Sequence, residues 1–139
     1  MSNQEVIDRF FLAYSQRDFE ELKKVVAGDV VWTFPGNHPL AGVKTGINEL
    51  ISFFDTMGSI MGKSNPTIEK LIVAENEQYV IECSHIRTNL PGGPNIDHHV
   101  CVLWTIENGK IRSGRHFFED PDLVNGYFNA ITAKGLPGN

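Results

Sequence analysis

The spacing of apolar residues changes partway along the chain, and this change is the feature that most limits the possible folds. Before Thr67, apolar side chains recur mainly every three or four positions, which is the spacing of amphipathic helices. From Thr67 onward they belong to extended segments rich in β-branched and aromatic residues. A chain that is mostly helical first and extended later predicts an α+β fold, with helices packed on a curved, mainly antiparallel sheet.

Capping signals indicate where several of the helices begin. Ser2 with Glu5, and Asp18 with Glu21, have the three-residue spacing of a helix N-terminus. Asp120-Pro121 combines a capping residue with a proline at the first helical position. The sequence therefore predicts a pair of helices at the start of the chain and a short helix near its end.

Turn residues separate the predicted strands. DVVWTF is a short strand ended by Pro35, and the apolar spacing from Ile47 onward predicts a helix after it. Asn108-Gly109 tolerates the positive φ angles of a type I′ turn and predicts a β-hairpin. The segments expected to form the main sheet are TIEKLIV, QYVIECSHIRTN, IDHHVCVLWTIE and KIRSGRHFF.

Composition narrows the class of protein and its partners. A chain of 139 residues is long enough for one domain, spanning residues 1–139, and too short for two ordinary ones. Its 12 basic and 17 acidic residues give a net charge of -5, so we expect no nucleic-acid partner. The sequence has neither a leader-like start nor a run of about 20 apolar residues, which predicts a cytoplasmic protein without membrane contact.

Cysteine and histidine positions give no metal-binding pattern. Cys83 and Cys101 lie in predicted strands without the spacing of a zinc site, so we expect buried free thiols. His98 and His99 are adjacent and point to opposite faces of a strand, so they cannot bind one ion together. We therefore predict no metal and no other cofactor.

The order of these elements and two segments resemble a known family. The segments are DVVWTFPGNHPLAGVKTG, which leads into the third helix, and NGKIRSGRHFFED, which completes the last hairpin. Over nearly its whole length the chain resembles the SnoaL-like group of the nuclear-transport-factor-2-like and ketosteroid-isomerase-like superfamily. The resemblance implies a cone, with a curved sheet wrapped around an apolar pocket and N-terminal helices packed on it. Members include isomerases, cyclases, dehydratases, epoxide hydrolases and binding proteins, so the fold leaves the function open.

The resemblance argues against ketosteroid isomerase activity. Such an enzyme needs a carboxylate base, an acidic hydroxyl and a neutral carboxylic acid around the dienolate oxygen. The match places Phe34 where the base should be, Phe10 where the tyrosine should be and Cys101 where the acid should be. The chain is more similar to the polyketide cyclases, in which a carboxylate on the last strand acts as acid and base. Here His116 holds that position.

Matching the NGKI turn to the corresponding turn of ketosteroid isomerases implies which side chains face the pocket. It selects the odd-numbered residues of the strand before the turn and the even-numbered residues after it. The residues expected to point inward are Asp97, His99, Cys101 and Leu103 before the turn, His116 and Phe118 after it, and His85 and Arg87 on the preceding strand.

The opposite face of the strand before the turn carries Val100, Val102, Trp104 and Ile106. This face is too apolar for water in so small a protein, so we expect it to meet a second subunit or the terminal helix. Homodimers are also common in the family that the chain resembles. We therefore predict a homodimer.

Proton transfer is the chemistry that the histidines favour, because an imidazole titrates near neutral pH. We expect His99 and His116 to act as acid and base from neighbouring strands, with Arg87 or His85 beside them. Asp97 or Glu119 would fix the imidazole tautomer. The alternatives are ordinary structural histidines and, for Arg87 and Asp97, a surface ion pair.

The pocket implied by the resemblance requires apolar walls and a polar rim. We expect His38 at the entrance, with a solvated loop residue as the alternative. Aromatic residues are expected along the walls, and core packing is the alternative for Tyr14, Trp32 and Phe34. The predicted substrate-binding residues are Tyr14, Trp32, Phe34, His38, Phe54, His85, Cys101, Leu103 and Phe118.

Together these inferences predict a cofactor-free enzyme that transfers protons on a small apolar carbonyl compound, as isomerases, cyclases and dehydratases do. One alternative is a binding protein that uses the same pocket without catalysis. Another is an epoxide hydrolase, which needs two aspartates flanking an arginine. Arg87 and Asp97 supply only part of that set.

Overall fold

The computed structural model of the protein describes residues 1–133. Within that part of the chain, helices and strands follow the predicted order, with one additional short strand. The elements are α1 (Asn3–Ser15), α2 (Phe19–Val25), β1 (Val26–Phe34), β2 (Gly42–Thr45), α3 (Ile47–Gly62), β3 (Thr67–Glu75), β4 (Tyr79–Arg87), β5 (Asp97–Glu107), β6 (Lys110–Phe118) and α4 (Pro121–Ala133).

The strands form one six-stranded sheet in the order β2-β1-β6-β5-β4-β3. Only β1 and β6 pair in parallel, and the other four pairs are antiparallel. The sheet is curved, and helices pack on its inner face. The predicted α+β class and its mainly antiparallel sheet are confirmed.

The predicted helix starts are confirmed by side-chain caps. Ser2 Oγ accepts a hydrogen bond from the backbone N–H of Glu5 at 3.2 Å, and Asp18 caps α2 in the same way. At the last helix, the Asp120 carboxylate accepts from the N–H of Leu123 at 3.0 Å. Each cap satisfies a backbone donor that the helix leaves unpaired.

The hairpin between β5 and β6 has the predicted turn but an irregular ladder. Asn108 and Gly109 have φ angles of 53° and 73°, as a type I′ turn requires. Ile106 pairs with Ile111, whereas Thr105 pairs with Ser113. β6 therefore has one extra residue, Arg112, between two consecutive pairs of the ladder. This irregularity is a β-bulge.

Two local features do not follow from sequence signals alone. A glycine after an apolar helical stripe is typical of a helix end, but Gly28 lies inside β1, which begins at Val26. The segment after the Pro-Gly break contains a strand, β2, which pairs with the end of β1. Four residues are too few to show an alternating pattern, so pairing with β1 rather than local sequence determines this strand.

The core fills the space between the sheet and the helices. Trp32 is almost completely buried and packs edge-on against Trp104, with ring centroids 4.8 Å apart. Val6 and Phe10 from α1 and Tyr127 from α4 are buried in the same cluster. Among the described residues, no helix is long and apolar enough to cross a membrane.

Candidate functional site

A cavity of about 250 Å³ lies between the inner face of the sheet and helices α1, α3 and α4. Most of its wall is aliphatic or aromatic, with valines from β5 and methionines from α3. A small number of polar groups interrupt this wall. They are Lys70, Glu82, Ser84, His98 and His116.

The exposure of the lining residues shows where the cavity opens. Ile68 on the edge strand β3 is 60% exposed, and Phe11 on α1 is 39% exposed. The entrance therefore lies between α1 and β3. Phe34 and Phe128 are buried, so the wall formed by β1 and α4 is the deep end.

His116 occupies the deep end and is enclosed by aromatic rings. Its ring lies edge-on to Phe34 at 4.8 Å and to Trp32 at 5.5 Å between centroids. Its Nε2 is enclosed and has no hydrogen-bond partner among residues 1–133. Burial lowers the pKa of His116 to about 3. The imidazole is therefore neutral at physiological pH, with one nitrogen that can donate and one that can accept.

His98 is the second imidazole on the cavity wall. Its ring lies nearly parallel to that of Phe118, with centroids 5.9 Å apart. No residue that the structure describes forms a hydrogen bond with its enclosed Nδ1. Burial lowers the pKa of His98, although the charge of Glu119 opposes the shift. The cavity thus contains two imidazoles with unused hydrogen-bonding capacity.

Glu82 is the carboxylate on the cavity wall, and two donors hold it in place. One oxygen accepts from the indole N–H of Trp104 at 2.7 Å, and the other accepts from the Lys70 ammonium at 2.9 Å. The Glu82 side chain is 12% exposed, whereas that of Lys70 is 59% exposed. The ion pair therefore spans from the cavity wall to its entrance.

Comparison with known proteins identifies the family. The model of the SnoaL-like domain matches residues 7–114. The chain belongs to the SnoaL-like domain family. It is also similar to the uncharacterized protein Rv0034 of Mycobacterium tuberculosis, with 27% identity over 125 residues that cover 89% of this chain and 94% of that protein.

Solved structures share the fold of this SnoaL-like protein. Bal32a, from a soil-derived mobile gene cassette, superposes with a TM-score of 0.73 at 23% identity and covers 91% of this chain and 95% of its own. TerC, co-crystallized with polyporic acid, has a TM-score of 0.68 at 19% identity and covers 91% and 97%. At these identities the likeness concerns the fold.

The bulge in β6 reverses the predicted facing of two strands. Continued from the turn without interruption, the ladder would pair His116 with Cys101, and His99 would share its face. The bulge at Arg112 instead pairs His116 with Val102. Because a shift of one residue exchanges the two faces of a strand, the even-numbered face of β5 lines the cavity.

Several predicted site residues therefore lie on the outer face of the sheet. His99 does not point into the cavity with His116, so their predicted meeting at one point is wrong. β4 pairs in register with β5, which reverses its facing as well. The predicted inward positions that this corrects are His85, Arg87, Asp97, Cys101 and Leu103.

The outer face carries its own cluster of charged and aromatic groups. The rings of His85 and His99 stack with centroids 4.8 Å apart. His85 Nε2 lies 2.5 Å from Asp97, and His99 Nδ1 lies 3.1 Å from Glu119. Asp97 and Glu119 thus contact histidines as predicted, but outside the cavity. The partial epoxide-hydrolase set of Arg87 and Asp97 is also outside it.

Of the aromatic residues predicted to line the pocket, Phe34 and Phe118 do so. Trp32 and Phe54 pack against each other with centroids 5.3 Å apart and do not form the cavity wall. His38 lies on the ring of Phe128 at 4.7 Å and accepts the N–H of Leu40 at Nδ1. The side chain of His38 is thus part of the packing behind the deep end.

Tyr14 also has a role other than the predicted one. Its hydroxyl donates to Asp55 at 2.5 Å, and Arg17 donates to the same carboxylate at 2.7 Å. Burial, followed by the bond to Asp55, raises the pKa of Tyr14 to about 12. The phenol joins α1 to α3 and does not face the cavity.

The sequence contained one signal for the polar residues that were missed. Glu82, Ser84 and His98 interrupt an otherwise apolar face shared by β4 and β5, a pattern typical of a lined pocket rather than of solvent. Recognising this required the correct register, which the turn does not fix.

Proposed function

We propose that this SnoaL-like protein binds a compact, largely apolar carbonyl compound in the cavity and catalyses cofactor-free proton transfer on it. The observation that carries the proposal is the neutral, unpaired imidazole of His116 at the deep end of an apolar cavity. The co-crystallization of TerC with polyporic acid supports a small organic ligand for this fold.

The environment of His116 suits a carbonyl oxygen. A buried polar group without a hydrogen-bond partner is costly, and a ligand oxygen that reached the ring would supply the missing partner. The imidazole would donate its N–H to that oxygen and stabilise the negative charge that develops during enolisation. The neutral state favours a donor role, since an imidazole with a low pKa is a weak base.

The alternative of a binding protein without catalysis is also supported by a specific observation. Within residues 1–133, no carboxylate hydrogen-bonds to the enclosed His116 Nε2 or His98 Nδ1, and the shift in the pKa of His116 is due to burial alone. Isolated polar groups in an apolar wall are typical of ligand binding sites in general. The two functions differ in one measurable respect, which is the exchange of ligand protons with solvent.

We also propose that the protein is a homodimer that associates through the outer face of the sheet. The face originally predicted to meet a partner lines the cavity, but the outer face exposes Ile72, Ile81 and Phe117. An exposed apolar area of this kind marks an interaction surface. A cytoplasmic location remains our expectation.

Acetophenone provides a test that does not require the natural substrate. We expect the protein to bind it in D₂O and to accelerate exchange of its methyl protons, measured by loss of the ¹H NMR signal. Binding without faster exchange would contradict catalysis and support the binding protein. If neither acetophenone nor other small aryl and alicyclic ketones bind, the proposal is contradicted.

Two adjacent positions of β5 provide matched variants. Val102→Phe places a larger side chain inside the cavity and is expected to abolish acetophenone binding. Leu103→Phe makes a comparable change on the outer face and is expected to leave binding unchanged. Equal effects of the two variants would show that the ligand does not occupy the cavity.

A further inference from the structure

We propose that Glu82 is the catalytic residue that accepts the proton from carbon. This inference rests on the proposed function, in which His116 donates a hydrogen bond to the carbonyl oxygen. His116 is the predicted acid-base residue that lines the cavity, and because it donates to the carbonyl oxygen, another group must accept the proton. Among the described residues that line it, Glu82 is the one carboxylate.

The first support for this role is the position of Glu82 relative to His116. Glu82 pairs with Val102, and Val102 pairs with His116, so the three residues form one row across the inner face of the sheet. Directly opposed residues have Cα atoms about 4.5–5.5 Å apart. Glu82 and His116 are therefore separated by about 10 Å at Cα, and both project into the cavity.

This separation leaves room for a substrate between the two groups. Contact with the base and a hydrogen bond to the imidazole each take up roughly 3 Å. The few ångströms that remain match the distance from a carbonyl oxygen to the carbon next to the carbonyl, whose proton the carbonyl makes acidic. The wall between them is Val102, which presents an apolar surface to the body of the ligand.

The second support is the way in which the carboxylate is held. Trp104 and Lys70 each donate to a different oxygen of Glu82. Each oxygen retains a lone pair, because a carboxylate can accept about four hydrogen bonds. The two donors fix the orientation of the group, and the positive charge of Lys70 compensates the carboxylate at the cavity wall. A base that is already oriented loses little freedom when the substrate binds.

The proposed step is balanced within the cavity. The C–H bond next to the carbonyl breaks, and an O–H bond forms on Glu82. The electron pair from C–H forms a C=C bond, and the carbonyl becomes an enolate oxygen that accepts the N–H of His116. In the exchange reaction, a solvent deuteron replaces the proton on Glu82 before the carboxyl returns it to the same carbon, and in an isomerisation Glu82 delivers the proton to another carbon of the conjugated enolate. Neither outcome needs an oxidant or cofactor.

The experiment measures how fast the Glu82→Gln variant exchanges the methyl protons of acetophenone in D₂O. The amide oxygen can still accept from Trp104, so we expect the variant to fold and to bind acetophenone. We expect its exchange rate to fall about 10²-fold or more, the usual contribution of general base catalysis. Glu69→Gln makes the same chemical change on the outer face of β3 and is expected to exchange at the wild-type rate.

A second variant keeps the test valid if Glu82→Gln does not fold. Glu82→Asp retains the charge but withdraws the carboxylate by one methylene, so exchange should fall while binding persists. Wild-type exchange rates in folded Glu82→Gln, or in Glu82→Asp, would overturn the role of Glu82 and leave the proposed function standing. Acetophenone binding without exchange in the wild-type protein would overturn both.

Discussion

Gly114 lies directly beneath the indole ring of Trp32, and a Cβ atom at Gly114 would be 2.0 Å from Trp32 Cζ3. β1 and β6 pair at these residues, so the two positions are fixed relative to each other. Trp32 in turn packs against His116 at the deep end of the cavity. Trp32 can occupy this position only because Gly114 has no side chain. Trp32 in turn supports His116, which lines the cavity.

Gly114→Ala is expected to destabilise the protein by at least about 1–3 kcal/mol, because the indole would have to move within a packed core. Gly58→Ala is the control. Gly58 lies within α3 with open space where a Cβ would stand, so alanine there is expected to stabilise by about 0.5–1 kcal/mol. Urea unfolding measures both, and an unchanged free energy of unfolding in Gly114→Ala would contradict this account.

His116 is expected to make stability depend on pH. Burial lowers its pKa to about 3 in the folded protein, below the value of about 6.5 in the unfolded chain. Between these values the unfolded state binds the extra proton, so stability is lost as the pH falls below about 6.5. From about pH 7 to about pH 5.5, His116 should account for a loss of about 1 kcal/mol.

His116→Phe tests this dependence, since phenylalanine suits the aromatic surroundings and does not titrate. The variant is expected to lose less of its free energy of unfolding than the wild-type protein over that pH range. A residual loss is expected, because burial also lowers the pKa of His38 and His98. Equal losses in variant and wild type would contradict the burial of an uncharged His116.

The contact of Tyr14 with Asp55 is expected to stabilise the packing of α1 against α3. Tyr14→Phe and Asp55→Asn should each reduce the free energy of unfolding by about 0.5–1.5 kcal/mol, the usual contribution of a hydrogen bond. Because both variants disrupt one interaction, the double variant should lose less than the sum. Strict additivity in chemical denaturation would show that the contact does not contribute.

We expect two copies of the chain to associate through the outer face of the sheet. Phe117 is 48% exposed there, beside Cys101 in the β5–β6 ladder. Phe117→Glu should convert a dimer to a monomer in analytical ultracentrifugation. Leu12→Glu, on the exposed surface of α1, should remain dimeric. A monomeric wild-type protein at micromolar concentration, or a dimeric Phe117→Glu variant, would contradict the interface.

Local sequence signals predicted the elements of this fold well, because their causes are local. Ser2 and Asp120 cap helices through residues three positions away, and Asn108-Gly109 adopts its turn through its own backbone preferences. The strand β2 was not predictable from local signals of this kind. Its four residues form a strand only because β1 offers a pairing partner.

The candidate site was predicted less well, because it depends on the register of the ladder. Nothing in KIRSGRHFF marks Arg112 as the bulged residue, and counting outward from the turn places His99 on the wrong face. The inward position of His116 was predicted correctly, because the match to the turn gave the right face for β6 beyond the bulge and the wrong face for β5. Glu82 was missed because the face on which it lies follows from the facing of β5. The facing of β5 in turn depends on the register of the β5–β6 hairpin.

We expect a small carbonyl compound to occupy the cavity beside His116, on the even-numbered face of β5. This position can be measured by intermolecular nuclear Overhauser effects between acetophenone and assigned methyl groups. Contacts are expected to the methyl groups of Val102 and Val124, which line the cavity. Contacts to Leu103 and Ile81 on the outer face, without contacts to Val102, would contradict it.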